Sequence, residues 1–264
     1  MSQHFKETPQ NAITDSGIAR VIPCKELDVG GPIKWLSLGF QDLLKTPLLS
    51  VFYGLLFAVI PWLISFLVAM TGWHLIILPS IVCFMLIGPF LAAGLYDISW
   101  EHEKGHKPTL SHSLRAMRRN AVNEWGFGIL LMILMIFWLR VASLIHALYP
   151  QHQIESLESL MPFLILGTGV GALFCIGMFF VTAFTQPILL ERKVDLATAV
   201  MTSINAVWVN KVPMFIWAGI IFSIVSIGFV TGFIGFVVLM PLLGYASWHG
   251  YIDAIETKRE REYV

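Results

Sequence analysis

The most enzyme-like string in the chain is His102-Glu103-Lys104-Gly105-His106, and His112 follows it closely. On a helix, His102 and His106 would share one face and could bind zinc, with Glu103 as the general base of a peptidase. The pattern therefore raises a metal site of His102, His106 and His112 as one hypothesis, and zinc-dependent peptidase activity through His102, Glu103 and His106 as its consequence.

Four features of the same string oppose that hypothesis. The spacing resembles the metzincin motif HExxHxxGxxH, but Thr109 stands where the motif has glycine. Pro108 disfavours helix at Lys107, and Gly105 weakens a helix by roughly 1 kcal/mol. Metzincins are also typically secreted, whereas this string falls on the side predicted below to be cytoplasmic. We therefore favour a turn with histidines at exposed positions, and we expect no enzymatic activity and no cofactor.

Arg140 is the other residue whose type and place suggest chemistry. It is the only charged residue well inside an apolar segment, and no Asp or Glu lies inside any such segment to pair with it. Placing an unpaired guanidinium there costs roughly 2.5–3.5 kcal/mol on insertion scales. Two interpretations stay open: a site for an anionic ligand or partner, or an arginine that reaches Glu155, Glu158, helix-end carbonyls or a lipid phosphate near the membrane surface.

The composition defines the class of protein that must position these residues. The 264 residues are 56% hydrophobic and 13% charged, whereas soluble domains carry about 25% charged residues. A soluble domain, a disordered chain and a disulfide scaffold are thereby excluded. Lys and Arg number 17, as do Asp and Glu, so no nucleic-acid partner is indicated. The sequence predicts an all-α, polytopic membrane protein.

Six transmembrane helices follow from the apolar segments, since a crossing takes about 20 residues. The stretch 212–246 holds no charge and is too long for one span, so Gly228, Gly232 and Gly235 predict a tight hairpin there. The four earlier spans are 48–70, 73–96, 125–149 and 161–185.

The basic residues predict the orientation. Every Lys and Arg except Arg140 falls on one side of these spans, so the positive-inside rule places both termini in the cytoplasm of a bacterial inner-membrane protein. We expect a polar, flexible segment at 1–30, a single membrane domain at 31–255 and a charged tail at 256–264.

A threefold pattern precedes the hairpins. Segments 32–47, 109–125 and 195–213 each place apolar residues at helical spacing beside polar ones, which is typical of helices in the membrane interface. The predicted unit is an interfacial helix and two spans, repeated three times, although such lead-ins also occur in hairpin proteins without repeats. Small residues at i, i+4 predict close helix packing, within the chain or between protomers; they are Gly167, Gly171, Gly228 and Gly232.

The strings WLSLGFQDLLKTPLLSVFYGLLFA, GPFLAAGLYDIS and EKGHKPTL carry a family resemblance. Together they resemble the bacterial predicted integral membrane proteins of domain of unknown function 2189, over roughly residues 20–255. The resemblance implies a six-helix inner-membrane protein and transfers no activity and no catalytic residue.

The functional expectation is a non-enzymatic role through binding, as a scaffold, an assembly factor or an accessory subunit. Its expected partners are membrane lipids and either another membrane protein or a second copy of the chain. The alternative is a transporter of small solutes or lipids that uses Arg140 as an anion anchor between repeats. A zinc-dependent membrane peptidase is the third hypothesis.

Overall fold

The computed structural model describes residues 21–72, 77–118, 120–148, 157–192 and 194–256, with side chains for all of these except 77–87 and 157–159. Most of the predicted flexible N-terminal segment, nearly all of the charged tail, and the side chains of Glu155 and Glu158 lie outside the described residues. Within them the chain is all-helical, as predicted, and its sole β interaction is an isolated bridge between Cys24 and Ile255.

Ten helices make up the described part of the chain. A short helix precedes a pair of long ones three times, and a further short helix, α7, follows α6. They are α1 (Gly31–Lys45), α2 (Pro47–Thr71), α3 (Ile77–Glu103), α4 (Leu110–Ala116), α5 (Ala121–Leu148), α6 (Leu157–Thr182), α7 (Thr185–Glu191), α8 (Leu196–Val209), α9 (Lys211–Val230) and α10 (Phe236–Ala254).

Local sequence explains where several helices begin and end. Pro47 occupies the first turn of α2, where its missing N–H costs nothing, and Gly72 ends that helix at φ 64°. The Thr109 side chain accepts a hydrogen bond from a backbone N–H at the start of α4, and Asp195 does the same for α8.

Four stretches of the described residues are long and apolar enough to cross a membrane: Pro47–Thr71, Ala121–Leu148, Leu160–Glu191 and Lys211–Val230. Two of the six predicted spans have no counterpart in this set. The helix α10 is less apolar than predicted because its last turns carry His249 and Asp253. For α3, the side chains of residues 77–87 are outside the described part.

The buried core lies at the end of the helices where α1 packs against α10. A Cβ on Gly39 would lie 2.7 Å from the backbone nitrogen of Ala246, so the two helices touch at their backbones. The indole of Trp35 meets the ring of Trp217 edge-on at 5.6 Å and donates to Asp253 Oδ2 at 2.9 Å. By contrast, the most apolar stretch of α6 contains no buried residue.

Both ends of the described chain lie at this same end of the bundle. The N–H of Lys25 donates to the carbonyl of Ala254 at 2.8 Å, and the N–H of Glu256 donates to the carbonyl of Pro23 at 3.1 Å. Asn210, just before α9, accepts from the N–H of Leu27 at 2.8 Å. Residues 21–30 therefore pack on the helix ends.

Candidate functional site

A set of polar side chains, three buried acids and a buried serine with two half-buried histidines, lies where α1, α3, α4 and α10 meet. We call this set the polar junction; its members are Asp42, Asp97, Ser99, Glu101, His112 and His249.

Asp42 is the acceptor at the centre of one half of the polar junction. Its Oδ2 accepts from Ser99 Oγ and from His249 Nε2, both at 2.8 Å, and its Oδ1 accepts from Lys45 Nζ at 3.3 Å. Burial acts to raise the pKa of Asp42, but the bonds from His249, Ser99 and Lys45 outweigh burial and lower it. Asp42 therefore joins three helices as a stabilised carboxylate.

His102 lies beside this half of the polar junction. Its Nε2 is 3.4 Å from Thr46 Oγ1, and burial lowers the pKa of His102 because the charged imidazolium is disfavoured there. Glu103 Oε1 lies 3.8 Å from His249 Nδ1. Glu103, the general base in the peptidase hypothesis, thus lies near His249 of α10.

The other half of the polar junction brings metal-type ligands together. Asp97 and Glu101 are one turn apart on α3, and α4 carries His112, so that one ligand atom from each lies within 4.8 Å of the others. His112 Nδ1 is 2.8 Å from Asp97 Oδ2. Glu101, however, already accepts from Lys104 Nζ at 2.7 Å and lies 3.2 Å from His106 Nδ1.

Basic side chains of the same chain stabilise the negative charge of Glu101. Burial acts to raise the pKa of Glu101, yet the hydrogen bond and the charge of Lys104, with smaller effects of His112 and His106, lower it. A cation at this group would have to displace the ammonium of Lys104. The arrangement suits an internal ion-pair network better than a divalent metal site.

The three histidines singled out by the sequence do not meet at one point. The helix α3 ends at Glu103 and Gly105 adopts φ 74°, so His106 follows the helix and does not share a helical face with His102. His112 and His106 contact the acids Asp97 and Glu101 instead. The spacing of those two acids, i and i+4 just after an apolar segment, was the sequence signal that could have identified them.

Arg140 lies on the outside of α5. Its side chain is exposed and shares a helical face with the exposed side chains of Ile136, Phe137 and Leu144. Within the described residues, its guanidinium makes no hydrogen bond and no ion pair. The position is thus an isolated charge in an apolar, outward-facing stripe.

The four predicted packing glycines occupy different environments. A Cβ on Gly171 would lie 3.2 Å from the Trp138 ring, whereas Gly167 faces open space. Gly228 packs against the ring of Phe236. Gly232 lies in the turn between α9 and α10 at φ 63°, a conformation that suits glycine.

The comparisons with known proteins agree with the membrane character of these helices. The family model described as "Predicted integral membrane protein (DUF2189)" matches residues 77–191 and confirms the resemblance that the sequence indicated. No curated protein and no solved structure matches the chain. The matched residues run from α3 through α7, less than half of the chain, and the description of that family agrees with a membrane protein.

Proposed function

We propose that this chain is a non-enzymatic, multi-pass protein of the bacterial inner membrane that acts through binding, as a scaffold, an assembly factor or an accessory subunit. The observation that carries the proposal is Arg140, which is exposed in the apolar stripe of α5 and has no hydrogen-bond or ion-pair partner among the residues that the structure describes. The partner is another membrane protein with a carboxylate at the depth of Arg140.

Six spans in three hairpins are part of the proposal. Asp42 precedes α2 and bonds Ser99 near the end of α3 at 2.8 Å, so the α2–α3 pair starts and ends at one end of the bundle. Asn210 before α9 and Ala254 at the end of α10 both bond residues of the segment 25–27. The second helix of each pair must therefore cross the same thickness as the first. The 19 residues of α10 extend about 28 Å, close to the hydrocarbon thickness of about 30 Å.

The short helices support a cytoplasmic placement of both termini. The end of the bundle that holds α1 also carries Lys25, Lys45 and Lys104. On α1 the exposed side chains of Ile33 and Leu44 share a face, which suits contact with lipid in the interface. Cysteines introduced at Ile33 and at Gly232 test this topology: a membrane-impermeant thiol reagent added outside intact cells should label only the latter.

Charge complementarity favours a protein partner at Arg140. Insertion of an unpaired guanidinium costs roughly 2.5–3.5 kcal/mol, and a carboxylate on a neighbouring helix would offset that cost. The surrounding stripe is apolar and uninterrupted, as a helix–helix contact surface in a membrane requires. The transporter alternative needs Arg140 in an internal cavity, whereas its side chain is exposed among apolar ones.

Site-specific photocrosslinking in native membranes tests the proposal. A photoreactive residue in place of Leu144 should form one protein crosslink, which Arg140→Leu abolishes. The matched control Arg118→Leu removes an exposed basic residue outside the apolar stripe and should leave the crosslink intact.

Two results would contradict the binding role. Crosslinks to lipid alone would assign Arg140 to a phosphate at the membrane surface. Loss of solute uptake in Arg140→Leu without any protein crosslink would favour the transporter instead.

A further inference from the structure

Two buried polar side chains, on α5 and α7, take no part in the polar junction. Glu124 is 0% exposed and Gln186 is 4% exposed. Neither carboxylate oxygen of Glu124, and neither the oxygen nor the nitrogen of the Gln186 amide, has a hydrogen-bond partner within the described residues. An unpartnered buried polar group costs about 1–3 kcal/mol, and a charged one costs more, so four such atoms require an explanation.

The helices α5 and α6 run antiparallel in a register that ring contacts define. His146 and Phe163 have ring centroids 6.2 Å apart, and Trp138 stacks on Phe174 at 5.1 Å. Earlier residues of α5 therefore lie beside later residues of α6.

A hydrogen bond also joins the start of α5 to α7, close to both unpartnered side chains. Nδ2 of Asn120 donates to the carbonyl of Leu189 at 3.2 Å. Glu124 lies one turn beyond Asn120 in α5, and Gln186 lies about one turn before Leu189 in α7. The unpartnered carboxyl and the unpartnered carboxamide therefore each lie within about one turn of the same contact between α5 and α7.

We propose that Glu124 and Gln186 form an internal proton-binding site, in which Glu124 is a neutral carboxylic acid paired with the carboxamide of Gln186. A proton from water converts the carboxylate to the acid. Its O–H then donates toward the Gln186 oxygen, and the Gln186 N–H donates toward the acid's carbonyl oxygen, each through a bridging water. This pairing gives a partner to all four atoms.

A bound cation satisfies the same atoms less well. The two carboxylate oxygens and the amide oxygen would coordinate it, but the N–H donors of Gln186 would stay without an acceptor. A proton therefore satisfies more of these donors and acceptors than a cation does.

No described charge offsets an ionised Glu124. The helices packed against α5 are α3, α6, α7 and α8, and α8 carries no charged residue. The cations near these helices have partners elsewhere, since Lys104 bonds Glu101, His112 bonds Asp97 and Arg192 donates to the carbonyl of Glu256. The remaining acids, Glu103 and Glu191, lie against His249 and Tyr251. Glu158 of α6 lies at the far end of that helix from Gln186.

Infrared spectroscopy of the purified full chain tests the site. At neutral pH the wild type should show the C=O band of one protonated carboxylic acid per chain. The band should shift when glutamate is labelled with ¹³C, and deuterium exchange should lower its frequency. Glu124→Gln, which conserves shape, should remove the band, and Gln186→Leu should move it to higher frequency because a hydrogen bond is lost. Glu103→Gln is the matched control and should leave the band unchanged.

Three outcomes would overturn the proposal. One is the absence of a protonated-acid band in the wild type at neutral pH, and another is a band that persists unaltered in Glu124→Gln. The third is loss of the band on addition of Na⁺, K⁺ or Ca²⁺, which would assign the site to a cation. The isotope shift requires no variant, so the test does not depend on the folding of Glu124→Gln.

Discussion

Replacement of Asp42 by alanine removes the acceptor that joins α1 to α3 and α10. The change leaves Ser99 Oγ and His249 Nε2, each 2.8 Å from Asp42 Oδ2, without their acceptor. Both donors are in the polar junction, where water replaces the lost acceptor poorly. We expect Asp42→Ala to destabilise the fold more than any removal of an exposed charge.

The magnitude follows from the two buried bonds. A hydrogen bond to a charged group contributes about 1.5–3 kcal/mol, so the loss of two predicts a decrease of about 3–6 kcal/mol in the free energy of unfolding. Asp42→Asn keeps one carbonyl oxygen and should lose roughly half as much. The third bond, from Lys45, adds little because the Lys45 side chain is 54% exposed.

Equilibrium unfolding in mixed micelles, followed by circular dichroism, measures these differences. Lys45→Met is the matched control, since it removes only the exposed partner of Asp42 and should change the free energy of unfolding by less than about 0.5 kcal/mol. An Asp42→Ala variant as stable as the wild type, or a Lys45→Met variant as unstable as Asp42→Ala, would refute the central role of this carboxylate.

Three further predictions follow from the same helix end. Gly39→Ala should lower the free energy of unfolding by about 1–3 kcal/mol, because the added methyl group meets the α10 backbone. Gly219→Ala, at a position that faces open space, should not lower it. Equal effects of the two variants would contradict this packing. Because folding lowers the pKa of Asp42 from its ordinary 3.8, its stabilisation is complete above that value and lost as pH falls below it, so acid titration should destabilise the wild type more steeply than Asp42→Asn. Metal analysis of the purified chain should find no stoichiometric zinc; about one zinc per chain, lost in a His102→Ala/His106→Ala variant, would support the peptidase hypothesis.

Composition and apolar segments were sufficient to predict an all-α membrane protein, because both depend on local properties of the chain. The break between α6 and α7 was not predicted: the sequence indicated one span over 161–185, whereas α6 ends at Thr182 and α7 begins at Thr185. Pro187 was the available local signal, because proline favours the first turn of a new helix.

The polar junction could not be derived from local patterns. Asp42 lies in an amphipathic lead-in, where a polar residue is expected to face water, and its partner His249 is 207 positions away in the sequence. The two meet only because Gly39 lets α1 touch α10. Glu124 was missed for a similar reason, since it precedes the predicted span 125–149 and is buried by helices from elsewhere in the chain.

Native mass spectrometry of the chain, released in fragments of its own membrane, tests the binding role most directly. The wild type should give masses that exceed whole multiples of 29.6 kDa by one additional protein subunit. Arg140→Leu should lose this subunit, and Arg118→Leu should keep it. A bare chain or a simple multiple of it in the wild type, unchanged by Arg140→Leu, would contradict a binding role through Arg140.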